Sequence, residues 1–186
     1  MVKRLAKTPD EEECFRKGAR AALQLNHPQI ASYLDLGVTE KGECYVVMEE
    51  VDGPDAATYI YEEGPLTEKE ALLVLRQTAE ALRAAQAKGI VHGDLRPENV
   101  MLQKVPTEGH EEDFPYIVKL TGFNLFLVEV EKTAEIAPAK EVGTLTTPAY
   151  MAPEQLDDPA HWDQRADIYG LGCLLFYLLT GTDAFE

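Results

Sequence analysis

The chain has 186 residues, 45% hydrophobic and 27% charged, which is the composition of a soluble globular protein with one sizeable core. Its 17 Lys plus Arg against 33 Asp plus Glu leave a net charge of -16, which repels nucleic acid and anionic lipid and speaks against both as partners. A basic protein partner fits better than either, although a solvated acidic surface is the readier account of the excess.

Three cysteines, Cys14, Cys44 and Cys173, lack metal or redox spacing and read as small buried hydrophobes of a reducing compartment. No secretory signal opens the chain, and the longest apolar run, Ile168 to Leu179, is too short and too interrupted by Gly to span a bilayer, so the expected location is cytoplasmic.

Val2-Lys3-Arg4-Leu5 is a stub of strand. Thr8-Pro9-Asp10-Glu11 starts a helix, with a capping box and Pro at the first helical position, and Phe15, Ala19, Ala22 and Leu23 recur at helical spacing until Asn26-His27-Pro28. Two strands, Ile30 to Val38 and Glu43 to Glu49, form a hairpin about Lys41-Gly42, and Met48-Glu49-Glu50-Val51-Asp52-Gly53 leads out of it. A short helix near Asp55 to Glu62 follows. Thr67-Glu68-Lys69-Glu70 is a second capping box, opening a long helix whose apolar stripe is Leu72, Leu75, Ala79 and Leu82 and which Gly89 stops.

Val91-His92-Gly93-Asp94-Leu95-Arg96-Pro97-Glu98-Asn99-Val100-Met101 places an Asp, a cation and an Asn on one loop between apolar runs, as phosphoryl transfer needs. An acidic insert, Pro106 to Pro115, reads as an exposed loop ahead of Val118-Lys119-Leu120-Thr121-Gly122-Phe123-Asn124. Thr147-Pro148-Ala149-Tyr150-Met151-Ala152-Pro153-Glu154 comes next, and Asp163 to Gly172 opens a last, strongly apolar helix.

In this order the motifs resemble those of the protein kinases, over nearly the whole chain. The loop at Asp94 is similar to H-R-D-L-K-P-E-N, and also to the H-G-D-x-x-x-x-N of small-molecule phosphotransferases, but those lack the second motif, here Ala152-Pro153-Glu154. The resemblance implies an α+β fold of two lobes: residues 1-51 as a partial N-lobe and residues 52-186 as a partial C-lobe ending after the family's αF helix. It implies catalytic-loop roles for Asp94, Arg96 and Asn99. Nucleotide contacts would fall to Lys3, to the gatekeeper Met48, to the main chain of Glu49 and Val51, and to the floor at Met101. Thr147 is the residue typical of the Ser/Thr class, and Asp167 would anchor the catalytic loop.

The departures are also patterned. Counting back from Pro28, the αC glutamate position holds Gly18, Gly93 replaces the arginine that grips an activation-segment phosphate, and Gly122 replaces the magnesium aspartate, leaving Asn99 as a weak metal ligand. Thr133, Thr144 and Thr146 are phosphate acceptors only in a generic sense. No Gly-rich loop is present, so the domain looks truncated at both ends, and an αF without its cover is expected to self-associate or bind a partner. Two readings stand: a pseudokinase acting through protein binding, with weak ATP binding and no magnesium expected, or a serine/threonine kinase, truncated or completed by a missing segment.

Overall fold

The structure, a computed structural model, describes residues 2–6, 20–40, 44–105, 114–123, 148–157 and 163–185. The helix start at Thr8, the positions of Phe15 and Gly18, the turn at Lys41-Gly42, most of the acidic insert, Asn124 and the threonines from Thr133 to Thr147 lie outside the described residues.

The first sheet is antiparallel, ordered β1 (Val2–Ala6), β3 (Cys44–Met48), β2 (Tyr33–Val38). Lys3 stands opposite Val46, and Tyr33 opposite Met48. Val46 and Met48 are buried, two residues apart on one face, which is the period-two alternation that makes this segment a strand. The strand expected from Ile30 begins later, at Tyr33. Ile30 instead makes a single parallel bridge to Leu120, so residues 29–31 pair outside that sheet.

That partner belongs to the second sheet, the antiparallel pair β4 (Val100–Lys104) and β5 (Tyr116–Leu120). Val100, Leu102, Val118 and Leu120 are all fully buried, and Val100 sits opposite Leu120 as Leu102 does opposite Val118. The register therefore puts four branched apolar side chains on one face and turns Met101 and Gln103 to the other.

Helix α1 (Ala56–Glu63) is capped by Asp55, whose Oδ1 accepts from Thr58 N at 2.8 Å. Helix α2 (Glu68–Gln86) carries the expected capping box: Thr67 N donates to Glu70 Oε2 at 2.9 Å, and Glu70 N to Thr67 Oγ1 at 3.4 Å. Its buried face agrees with the expected stripe at Leu82 and differs from it elsewhere. Leu72 is exposed and Leu75 and Ala79 are half-buried, while Ala71, Val74, Thr78, Ala81 and Ala85 are at 0% exposure. The physical reason is close approach, since α2 packs against both β5 and α4 (Arg165–Thr180), and small side chains let it come near. Gln77 is buried there too, its Oε1 accepting from Val118 N at 2.9 Å.

Between them, α3 (Pro153–Asp157) is a short helix. Helix α4 buries Ala166, Asp167, Gly170, Cys173, Leu174 and Leu178, while Ile168, Phe176 and Leu179 are exposed. The buried residues form one face, turned to α2 and to the loop before β4. Burial pushes the Cys173 thiol up. Among the described residues, no helix is long and apolar enough to cross a membrane.

Candidate functional site

The loop from Val91 to Asn99 has no regular secondary structure before its closing 3-10 turn, Pro97–Asn99, so its main-chain groups must find partners elsewhere. Asp167 on α4 supplies two. Its Oδ2 accepts from His92 N at 2.9 Å and its Oδ1 from Gly93 N at 2.8 Å. From the opposite side Gln155 on α3 accepts from Ala152 N at 2.9 Å and donates through Nε2 to Gly93 O at 3.1 Å. The peptide group of the residue before Asp94 is held at both ends.

His92 is fully buried. Its Nδ1 lies 3.2 Å from Asp94 N, a group that can only donate, so Nδ1 accepts and Nε2 carries the proton. Nε2 then donates to Thr121 O at 2.8 Å. The imidazole is tilted against Phe123 with centroids 4.6 Å apart, and Phe123 meets Tyr33 edge-on at 6.5 Å. Burial drives the Tyr33 hydroxyl far above the usual tyrosine range, against the pull of its hydrogen bond with the Phe123 backbone. A column of rings thus joins β2, the residue after Gly122 and the loop.

Asn99 closes the loop. Its Nδ2 donates to Asp94 O at 2.7 Å and to Asp94 Oδ2 at 3.1 Å, and its own carbonyl accepts from Thr121 N at 2.8 Å and Thr121 Oγ1 at 3.2 Å. Gly122 has φ +76, and a Cβ built there would overlap the Asn99 carboxamide, lying 2.6 Å from Nδ2. Arg96 is turned to Glu98 in a two-point contact, Nε to Oε2 at 2.7 Å and one terminal nitrogen to Oε1 at 2.5 Å. That pair raises the Arg96 guanidinium further and holds the Glu98 carboxyl below the carboxylate range. Tyr150 donates to Asp183 Oδ1 at 2.5 Å, and burial followed by that carboxylate pushes its hydroxyl well up.

The residues to which the resemblance gives nucleotide contacts, Met48, Glu49 and Val51, the hinge between the two expected lobes, lie together at the end of β3. Met48 is 3% exposed and belongs to the core, and Glu49 N donates to Ser32 O at 2.9 Å. The Glu49 side chain meets Lys119 Nζ at 2.8 Å, a half-buried ion pair from the hinge to β5. Burial pushes the Glu49 carboxyl up, but Lys119 and Ser32 outweigh it and hold it below its usual value. Val51 packs against the core, and Met101 bridges to Asp55. Lys3 is placed in β1 opposite Val46.

The structure therefore brings Asp94, Arg96 and Asn99 onto one loop, and Asp94 and Asn99 into direct contact. Gln155, Glu98, Lys119 and Asp183, which the sequence reading passed over as site residues, hold that loop, its cation, the hinge and Tyr150. For Gln155 and Gly93, 62 residues apart, no local signal exists.

The family model described as the protein kinase domain matches residues 1–186. The chain is 36% identical over 174 residues to the serine/threonine-protein kinase pkn3 of Myxococcus xanthus, covering 92% of this chain and 30% of that protein. It is 34% identical over 186 residues to the serine/threonine-protein kinase PknE of Mycobacterium bovis, covering 100% of this chain and again 30% of the relative. Among solved structures it is similar to the crystal structure of Rad53 1-466 in complex with AMP-PNP, with a TM-score of 0.73 and 28% identity over 100% of this chain and 42% of that one. The chain spans about 30% of the length of the curated relatives named here.

Proposed function

This chain belongs to the protein kinase domain family along residues 1–186, and we propose that within that family it acts as a pseudokinase, working through protein binding with weak or no transfer of phosphate from ATP. The observation that carries the reading is the pairing of Gly122 with Asn99. Catalysis of phosphoryl transfer is almost entirely positioning and neutralisation of charge, and metal ions supply much of the second. Magnesium wants several hard oxygen ligands. Here position 122 offers no side chain, so the carboxylate expected there is missing, and Asn99, whose amide nitrogen is turned to Asp94, would be left to hold the ion through its one oxygen. The residues present do not fit the ion.

Arg96 supports the same reading, since its guanidinium is engaged by Glu98. Gly18, where the family carries its αC glutamate, leaves Lys3 without that partner in the sequence pattern. Weak, metal-independent nucleotide binding along Glu49 and Val51, over Met101, is part of the proposal. The partner is a protein, and the net charge of -16 favours a basic surface on it, in the cytoplasm.

A serine/threonine kinase is the second reading. It is favoured by the names of relatives at 36% and 34% identity and by the retention of Asp94 with Asn99. A labelled-ATP transfer assay with magnesium and with manganese, run on the chain and its Asp94→Asn variant, separates the two. The pseudokinase reading expects equal, near-background signals. Transfer well above background that vanishes in the variant would establish the kinase instead.

A further inference from the structure

We infer that the rings of Tyr59, Phe114 and Tyr116, with the carboxylates of Glu63 and Glu70 beside them, form a docking surface for an arginine-bearing segment of a protein partner. The inference rests on the protein-binding role proposed above and gives that role a place, at the opposite end of β5 from Thr121 and the loop at Asp94.

Alternation along β5 puts Tyr116, Val118 and Leu120 on one face. Val118 and Leu120 are fully buried, but Tyr116 is only half-buried, so the core runs out of cover at the start of the strand. Phe114, two residues earlier, and Tyr59, from α1, come to the same spot and are half-buried too. The Tyr59 and Tyr116 rings lie 5.4 Å apart at 79°, Tyr59 and Phe114 6.0 Å apart at 76°, and Phe114 and Tyr116 5.0 Å apart at 56°. A contact of edge-to-face type uses one face and one edge, so the three rings keep other faces for a ligand. Glu63 is exposed and stands four residues after Tyr59 on α1, hence next to it on the helix surface. Glu70 is fixed at the start of α2, its Oε2 accepting from Thr67 N at 2.9 Å and from Thr67 Oγ1 at 2.6 Å. Burial raises the Tyr59 hydroxyl, and Tyr116, Glu70 and Glu63 add to the rise through their charge, so both carboxylates act on that ring. Carboxylates and the negative faces of aromatic rings attract the same thing, a cation. A guanidinium fits better than an ammonium, because it is planar, stacks on a ring and reaches a carboxylate with its fork of N–H groups. The net charge of -16 adds a long-range attraction of the same sign. Lys104, exposed and opposite Tyr116 in the register, is a cation at the rim that opposes a second one.

Fluorescence anisotropy of a labelled hexa-arginine peptide, titrated with the full chain in the absence of nucleotide, tests this. The expected result is saturable binding, tighter than that of hexa-lysine, which weakens about threefold or more in Tyr59→Leu and in Tyr116→Leu and is kept in Tyr59→Phe. Glu63→Gln should weaken it more than Glu80→Gln, which removes the same charge from a later turn of α2, and Lys104→Gln should tighten it. Circular dichroism checks that each variant is folded, and should Tyr116→Leu fail that check, the Tyr59 pair decides alone. Absence of saturable hexa-arginine binding, equal affinities of Tyr59→Leu and wild type, equal losses in Tyr59→Leu and Tyr59→Phe, or equal effects of Glu63→Gln and Glu80→Gln would overturn the inference. Binding that survives unchanged in Tyr59→Leu places the partner elsewhere on the chain and leaves the protein-binding role standing. Phosphate transfer by the wild type would remove the proposed function and leave these affinities untouched.

Discussion

Replacing Asp167 by Ala removes both acceptors that hold the loop from below. His92 N and Gly93 N, bonded at 2.9 and 2.8 Å, are left facing an apolar methyl in a region where Asp167 is 5% exposed and His92 is fully buried. A buried donor stranded in this way costs about 1–3 kcal/mol, so the two together cost about 2–6 kcal/mol, a large fraction of a typical total of about 5–15 kcal/mol. For a chain of this size each kcal/mol moves the melting temperature by roughly 2–4 °C, which sets the expected fall on the order of 10 °C. Asp167→Asn keeps one acceptor and presents its amide to the other N–H, so it should fall between wild type and Asp167→Ala. Urea unfolding followed by circular dichroism reads the series. Arg76→Ala is the control, because its pair with Glu80 is 3.9 Å long and largely exposed and should contribute less than about 0.5 kcal/mol. An Asp167→Ala variant that unfolds at the same urea concentration as this control would refute the claim that α4 holds the loop.

Two further outcomes follow from the hinge. Gly53→Ala should lower stability by about 1–3 kcal/mol in thermal melts, because its Cβ would overlap the Leu102 carbonyl and lie 2.9 Å from Leu102 C, backbone that cannot yield as a side-chain tip can. Glu49→Gln should be less stable than wild type at neutral pH, and the gap should close on acidification. The folded-state value of Glu49 is held below its unfolded one, so its contribution is present above about pH 4 and is lost as the pH falls through that lowered value. Parallel pH–stability curves for the two proteins would exclude the Glu49–Lys119 pair as a source of stability.

What the sequence determined by itself was whatever lies within a turn or a motif. The capping box of Thr67 and Glu70 and the loop carrying Asp94, Arg96 and Asn99 depend on neighbours three to five residues away, and spacing alone exposes them. Family and α+β fold were legible for a related reason, since the motifs occur in a fixed order that few other chains share. The helix α2 marks where this failed: apolarity pointed to Leu72 and Leu75, whereas closeness to β5 and α4 selected Ala71, Val74, Thr78 and Ala81 for the interior. Hydrophobicity says which side chains prefer burial, but the shape of the facing surface decides which are small enough to be buried there. The same holds for the site. That Glu98 takes up Arg96, that Gln155 holds Gly93 O and that Lys119 meets Glu49 follows from segments brought together only by folding. The glycine at 122 could be read as a missing carboxylate from the sequence, but only the tertiary structure shows that the Asn99 carboxamide lies where a Cβ at 122 would stand, because overlap of atoms is a property of coordinates and not of residue types.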